Sequence, residues 1–170
     1  MEQRNRDLDL LARTDHLTGL WNRRHVDEHL DMAVSAARRH ERPLSLLLLD
    51  IDEFKSINSR FGHQIGDHAL QEVAARLKSH VRTEDTVGRW GGEEFLVVLP
   101  DTDTPVALSA AERLRAAIGD EPVRCGGNDL ELTVRIGVAG DEPASQDALL
   151  TGADGALARA KAAGRNRCSL

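Results

Sequence analysis

Four carboxylates stand at the ends of two apolar runs in this chain. Asp50 and Asp52 lie in LDIDEFKSIN (Leu49–Asn58), directly after LSLLLL, and Glu93 and Glu94 lie in RWGGEEFLVVLP (Arg89–Pro100), directly before FLVVL. Because Asp50 and Asp52 alternate with Ile51, both leave an extended strand on the same side. Unpaired charges at the end of a buried strand repel one another and resist desolvation. A hard divalent cation resolves that conflict, since Mg²⁺ takes a few carboxylate oxygens together with phosphate oxygens. If the second strand lies beside the first, Glu93 and Glu94 join the same cluster. Two plainer readings remain open: a solvated acidic tip on a Gly-Gly hairpin turn, and Asp52 as a cap on the helix that starts near Glu53.

Lys55 follows the aspartates in the first turn of that helix, where a phosphate could meet it together with free backbone N–H groups. Asn58 and Asp67 are side chains able to read a guanine edge, because a carboxylate accepts from the ring N–H and the amino group together; Asp67 also suits a helix N-terminus. The chain has neither G-x-x-x-x-G-K-[ST] nor G-x-G-x-x-G, so a nucleotide would bind by another device. Arg82 and Asp85 form an R-x-x-D pair, a weak pattern that Arg4/Asp7 and Arg24/Asp27 also satisfy. His25 and His29, at i and i+4, lack the glutamate of a metalloprotease motif and read as an exposed helix face.

The elements that must position these groups follow from periodicity. A helix is predicted after Asn22 to about His40, and Leu44–Ile51 is a continuous apolar strand buried on both faces. A helix spans Asp67 to Val81, with Leu70, Val73, Ala74, Leu77 and Val81 at helical spacing. Thr86–Trp90 and Phe95–Leu99 flank the Gly-Gly turn as strands. Ala107, Ala110, Ala111, Leu114 and Ile118 mark another helix. CGGN (Cys125–Asn128) is a turn leading into a period-2 strand through Leu130, Leu132, Val134, Ile136 and Val138. An Ala-rich helix runs from Gln146 to Ala163 and ends at Gly164. The order β-α-β-β-α-β with an extra hairpin strand predicts a ferredoxin-like α+β sandwich.

With 170 residues, 41% hydrophobic and 29% charged, residues 14–170 read as one globular domain behind an N-terminal helical segment, residues 1–13, expected to link to an upstream regulatory region. A formal net charge of -6 argues against a general nucleic-acid binder. No apolar stretch reaches the roughly 20 residues of a membrane span, so no membrane contact is expected within the chain. Cys125 and Cys168 have no metal-ligand spacing, and the expected setting is a reducing cytoplasm.

Four ordered segments, DHLTGLWNRR (Asp15–Arg24), DIDEFKSIN with GHQIGD, RWGGEEF and AKAAGRNR (Ala160–Arg167), resemble the signatures of GGDEF-domain diguanylate cyclases, in the GGEEF form of the naming motif. The resemblance implies a fold like nucleotidyl cyclase and polymerase palm domains, and condensation of two GTP into cyclic di-GMP with release of two pyrophosphates across a transient homodimer. It further implies Asp50, Glu93 and the Ile51 carbonyl as ligands of Mg²⁺ (or Mn²⁺), and Glu94 as general base or second-metal ligand. Phe54 (through its backbone), Lys55, Lys161 and Arg165 would hold the triphosphate, Asn58 and Asp67 would read guanine, and Gly91 and Gly92 would let the backbone approach the nucleotide. Arg82 and Asp85 stand where the family's inhibitory cyclic di-GMP site stands, and Arg113 resembles its secondary arginine. Ser59, Ala158 and Arg135 depart from the pattern, Arg135 replacing what is often a small polar residue. The alternatives are a catalytically silent sensor of GTP or cyclic di-GMP, and a cyclic dinucleotide synthase of relaxed base choice.

Overall fold

In a computed structural model of the chain, residues 12–141 and 145–170 are described. Along the chain run α1 (Arg23–His40), β1 (Leu44–Ile51), α2 (Phe54–Phe61), α3 (His63–His80), β2 (Thr86–Arg89), β3 (Glu94–Pro100), α4 (Thr104–Gly119), β4 (Val123–Cys125), β5 (Asn128–Leu130), β6 (Val134–Ala139), α5 (Gln146–Ala163) and β7 (Arg167–Ser169). β1 sits at the middle of a five-stranded sheet of order β2-β3-β1-β6-β7. It is antiparallel to β3 on one side and to β6 on the other, while β7 joins β6 in parallel. With β3 inserted between β1 and β2, the first four sheet strands have the split βαβ arrangement predicted for a ferredoxin-like core.

The whole of β1 is buried, because helices cover both of its faces. Leu47, Leu49 and Ile51 enter a core shared with α3 and α4 through Leu70, Val73, Leu77, Ala111 and Leu114. Leu44, Leu46 and Leu48 enter a second core with α1 and α5 through Leu30, Val34, Leu149 and Leu157. Alternation along the strand therefore fixes which helical layer each side chain meets, and it sends Asp50, in step with Leu46 and Leu48, to the α5 side. Three helices start on side-chain caps: Asn22 accepts from the His25 amide, Asp103 from Val106 and Ser145 from Ala148, each worth about 1 kcal/mol.

The helix predicted from Asp67 begins at His63, with one residue between it and the end of α2. Gly62 separates the two helices with a φ of 87°, a torsion that glycine adopts without steric cost. The long alternating strand predicted from Leu130 to Val138 is interrupted. β4 and β5 close on each other as a separate hairpin across Gly126 and Gly127, and only Val134–Ala139 joins the main sheet. His25 and His29 are half-buried rather than exposed; the His25 ring lies 4.2 Å from that of Trp21, and burial lowers the pKa of His29. The N-terminal helical segment lies outside the described residues except for Ala12 and Arg13, whose carbonyls accept from Asn22. Among the described residues no helix is long and apolar enough to cross a membrane.

Candidate active site

Strand register sets the first part of the site. Asp50 lies directly across from Glu94 on β3 and from Arg135 on β6, so one cross-strand row reads Glu94–Asp50–Arg135 on the face that α5 covers. Two acids directly opposite one another are destabilising. From the last turn of α5, Lys161 places its Nζ 2.6 Å from Asp50 Oδ2, and Arg135 Nη2 lies 3.8 Å from Asp50 Oδ1. Burial raises the pKa of the Glu94 carboxyl, and the charges of Asp50, Glu93 and Asp154 raise it further, while Lys161 opposes them. Glu93 joins through its backbone, its carbonyl accepting from the Ile51 amide at 3.2 Å.

The Gly-Gly turn that presents Glu93 and Glu94 is braced from outside the motif. The Arg89 guanidinium donates to the carbonyls of Gly91 and Gly92. It is held in turn by Asp15, with Nη1 3.3 Å from each carboxylate oxygen. Burial would raise the Asp15 carboxyl, but hydrogen bonds from the Thr18 hydroxyl and amide, together with Arg89, outweigh it and hold the pKa below the ordinary value. Gly91 serves space rather than torsion: a Cβ there would lie 2.9 Å from Glu94 Oε2, whereas one on Gly92 would meet nothing within 4 Å.

On the other side of Asp50, the α2 N-terminus carries Phe54 and Lys55, whose amides have no intrahelical acceptor. Arg165 reaches the same end of α2 and pairs with Glu53. Asp52 does not cap α2. Its Oδ2 accepts from the Thr133 hydroxyl at 2.6 Å and from the Asn166 amide at 2.9 Å, and its Oδ1 lies 2.6 Å from Arg135 Nε. Sequence reasoning noted Arg135 only as a departure and missed this tie; the position of Arg135 at the centre of an alternating strand was the available signal. Asn58 on α2 lies against Gly66 of α3, the residue that precedes Asp67. A Cβ on Gly66 would lie 1.8 Å from Asn58 Oδ1, so the bare glycine leaves the place that the Asn58 side chain fills.

Arg82 and Asp85 lie together at the turn before β2, where the charge of Arg113 also acts on Asp85. The Arg82 amide donates to Asp85 Oδ2 at 2.8 Å, and Asp85 Oδ1 is buried with no hydrogen-bond partner. Burial raises the Asp85 carboxyl, helped by Glu84 and opposed by the Arg82 amide and charge and by Arg113. Arg82 and Asp85 line a cleft of about 450 Å³ together with Thr14, Leu20, Trp21 and Lys78.

No three acidic, histidine or cysteine side chains among the described residues converge into a ready-made metal cage. The donor chemistry nonetheless fits a hard divalent cation. Asp50, Glu93 and Glu94 offer only oxygen, their mutual repulsion raises Glu94, and Lys161, the nearer of the two cations facing Asp50, is a helix-end side chain that can withdraw.

Residues 12–167 match the sequence profile of the family described as "Diguanylate cyclase, GGDEF domain". The chain belongs to the GGDEF family. Response regulator PleD of Caulobacter vibrioides is 48% identical over 92% of this chain. Diguanylate cyclase DgcP of Pseudomonas aeruginosa is 43% identical over 92% of it. The chain spans 35% of PleD and 23% of DgcP, about a third or less of the length of these two relatives. The crystal structure of the GGDEF domain of DgcB from Caulobacter crescentus in complex with c-di-GMP superposes with a TM-score of 0.89 at 33% identity, covering 93% of this chain and 95% of that one. The α+β sandwich read from periodicity is thus the fold of GGDEF domains.

Proposed function

We propose that this GGDEF domain is a diguanylate cyclase that condenses two GTP into cyclic di-GMP and two pyrophosphates, working in the cytoplasm as a source of second messenger. The observation that carries the reading is the cross-strand pairing of Asp50 with Glu94, flanked by Lys161 and by the N-terminus of α2. Asp50, the Ile51 carbonyl, Glu93 and Glu94 would hold a divalent cation, Mg²⁺ or Mn²⁺, which when bound neutralises charge at the reacting phosphate. Lys161 and Arg165, now turned to Asp50 and Glu53, are placed to leave those carboxylates for the triphosphate, joined by Lys55 and the Phe54 amide. Asn58 and Asp67 present an amide and a carboxylate to the guanine edge. Glu94 is the group placed to take the 3'-hydroxyl proton, and its raised pKa brings it closer to the working pH of a general base.

The direct test is incubation of the purified chain with GTP and Mg²⁺ and identification of the product by mass. Cyclic di-GMP is the expected product; intact GTP, or a mixed purine dinucleotide when ATP is added, would refute the reading.

Gly66→Ala should weaken binding of a non-hydrolysable GTP analogue by on the order of tenfold while leaving the fold intact, since the new methyl displaces Asn58 and costs α3 nothing in helix propensity. The check is a double-mutant cycle: Gly66→Ala should add little in an Asn58→Ala background.

The Arg82, Asp85 and Arg113 site fits the product as an inhibitor. Arginine bonds guanine O6 and N7 bidentately while a carboxylate accepts from its donor edge, and the unpartnered Asp85 Oδ1 is such an acceptor. Arg82→Ala should relieve inhibition by added cyclic di-GMP at least several-fold without changing the initial rate, because the two sites are distinct. Superimposable inhibition curves for the two proteins would show that Arg82 has no part in it.

A further inference from the structure

Arg135 occupies a place in the acidic cluster that a cation must occupy. Its side chain is 18% exposed, and the side chains of Asp50 and Asp52 that it faces are 10% and 4% exposed. Carboxylates so deeply buried are tolerated only when paired. Although Arg135 Nε and Asp52 Oδ1 lie 2.6 Å apart, neither atom makes an aligned hydrogen bond, so the contact acts through charge. Asp52 Oδ2 is taken by Thr133 and the Asn166 amide. Every oxygen of Asp52 is therefore engaged within the chain, and each oxygen of Asp50 faces a cation, Arg135 on one side and Lys161 on the other.

We propose that Arg135 is a resident counter-ion of the metal site, which holds Asp52 away from the metal and sets how tightly a divalent cation binds at Asp50. This rests on the reading of Asp50 as a metal ligand. Three carboxylates, Asp50, Asp52 and Glu94, share this face with two cationic side chains, Arg135 and Lys161. Lys161 stands at the end of a helix with its side chain 39% exposed and can swing to a phosphate. Arg135 is fixed in the middle of the sheet, between β1 and β7, and stays. Its positive charge stabilises the domain before metal arrives and then opposes the incoming cation. A neutral side chain of similar length reverses both effects: the metal-free domain loses stability, and the field at Asp50 becomes more attractive to a divalent ion.

The test is direct binding of Mn²⁺ alone to the whole chain, followed by the electron paramagnetic resonance of free Mn²⁺. Arg135→Gln should bind Mn²⁺ about tenfold more tightly than wild type and melt at a lower temperature without metal. Arg135→Lys, which keeps the charge, should stay within about twofold of wild type in affinity, a rescue that mere packing would not produce. Asp50→Asn identifies the site. If wild type shows no Asp50-dependent binding, the metal-site reading fails and this inference with it. If that site is present but Arg135→Gln binds Mn²⁺ equally or more weakly, only the counter-ion role is overturned. Should Arg135→Gln fail to fold, the wild-type Arg135 Nε–H resonance, assigned by its loss in Arg135→Lys, decides the matter: it must shift when Mg²⁺ is added, and a stationary signal overturns the proposal.

Discussion

Glu94→Gln is expected to abolish cyclic di-GMP formation, lowering the turnover number by about 10²-fold or more, the range that a positioned general base contributes. Gln keeps the volume and the acceptor carbonyl but can neither take a proton nor carry a charge to a cation. The same substitution should raise the melting temperature of the metal-free protein at neutral pH. Burial and the neighbouring acids raise the Glu94 carboxyl in the folded state. The folded domain therefore binds this proton more tightly than the unfolded chain does. The stability that the bound proton supplies is present below the unfolded value, 4.5 for this group, and is lost as pH rises through the raised folded value. At neutral pH wild type bears the whole penalty of an ionised, partly desolvated Glu94 beside Asp50, and Gln does not. Melting curves of the two proteins should thus converge toward pH 4 and separate toward pH 7, with the mutant the more stable. Wild-type turnover in Glu94→Gln would remove the basis of the proposed chemistry. Inactivity together with a lower melting temperature at pH 7 would mean that Glu94 is held by a favourable contact instead of by repulsion.

That opposition between activity and stability was partly legible in the sequence, because acids at the ends of apolar runs are costly wherever the runs pack. Local chemistry carried the rest of what could be read. α1 begins directly after Asn22 and Gly164 follows α5 as predicted, and the continuous apolar β1 is covered on both faces, since each of these depends on a residue and its near neighbours. What could not be read depends on partners distant in the chain. Leu130 and Leu132 are buried in phase with Val134 and Ile136, so alternation reported correctly which way side chains face. It could not report that β5 pairs with β4 instead of continuing the main sheet. Asp52 looked like a cap because a helix follows it, yet its partners are Thr133, Arg135 and Asn166, brought to it by β6 and the turn after α5. Arg135 therefore read as a deviation, when its meaning lies in the strand opposite.

Specific activity should fall as the enzyme is diluted, approaching about a tenfold loss for each tenfold dilution once the dimer is the minor species, by mass action on a two-domain catalyst. The proposed product has two-fold symmetry, while each domain carries one Glu94–Asp50 row and, in the proposed reading, one pair of side chains, Asn58 and Asp67, for guanine. In the proposed reaction the 3'-hydroxyl of one GTP meets the α-phosphate held by another domain, and a C₂ arrangement would bring two such sites face to face. Nothing in the described surface would make that pair permanent. Its exposed large apolar side chains are Met32, Val106 and Leu170, on α1, on α4 and at the C-terminus, and three scattered residues do not form the contiguous apolar core of an obligate interface. The productive dimer is thus expected to be transient, with the rate set by encounter. Fusing a stable parallel coiled coil ahead of Met1 should restore activity at low concentration by raising the effective concentration of one domain near the other. Sedimentation performed alongside the dilution series decides the point. Specific activity that stays constant over a hundredfold dilution, in protein that sediments throughout as a monomer, would mean that one domain completes the reaction alone, and the facing-site mechanism would have to be abandoned.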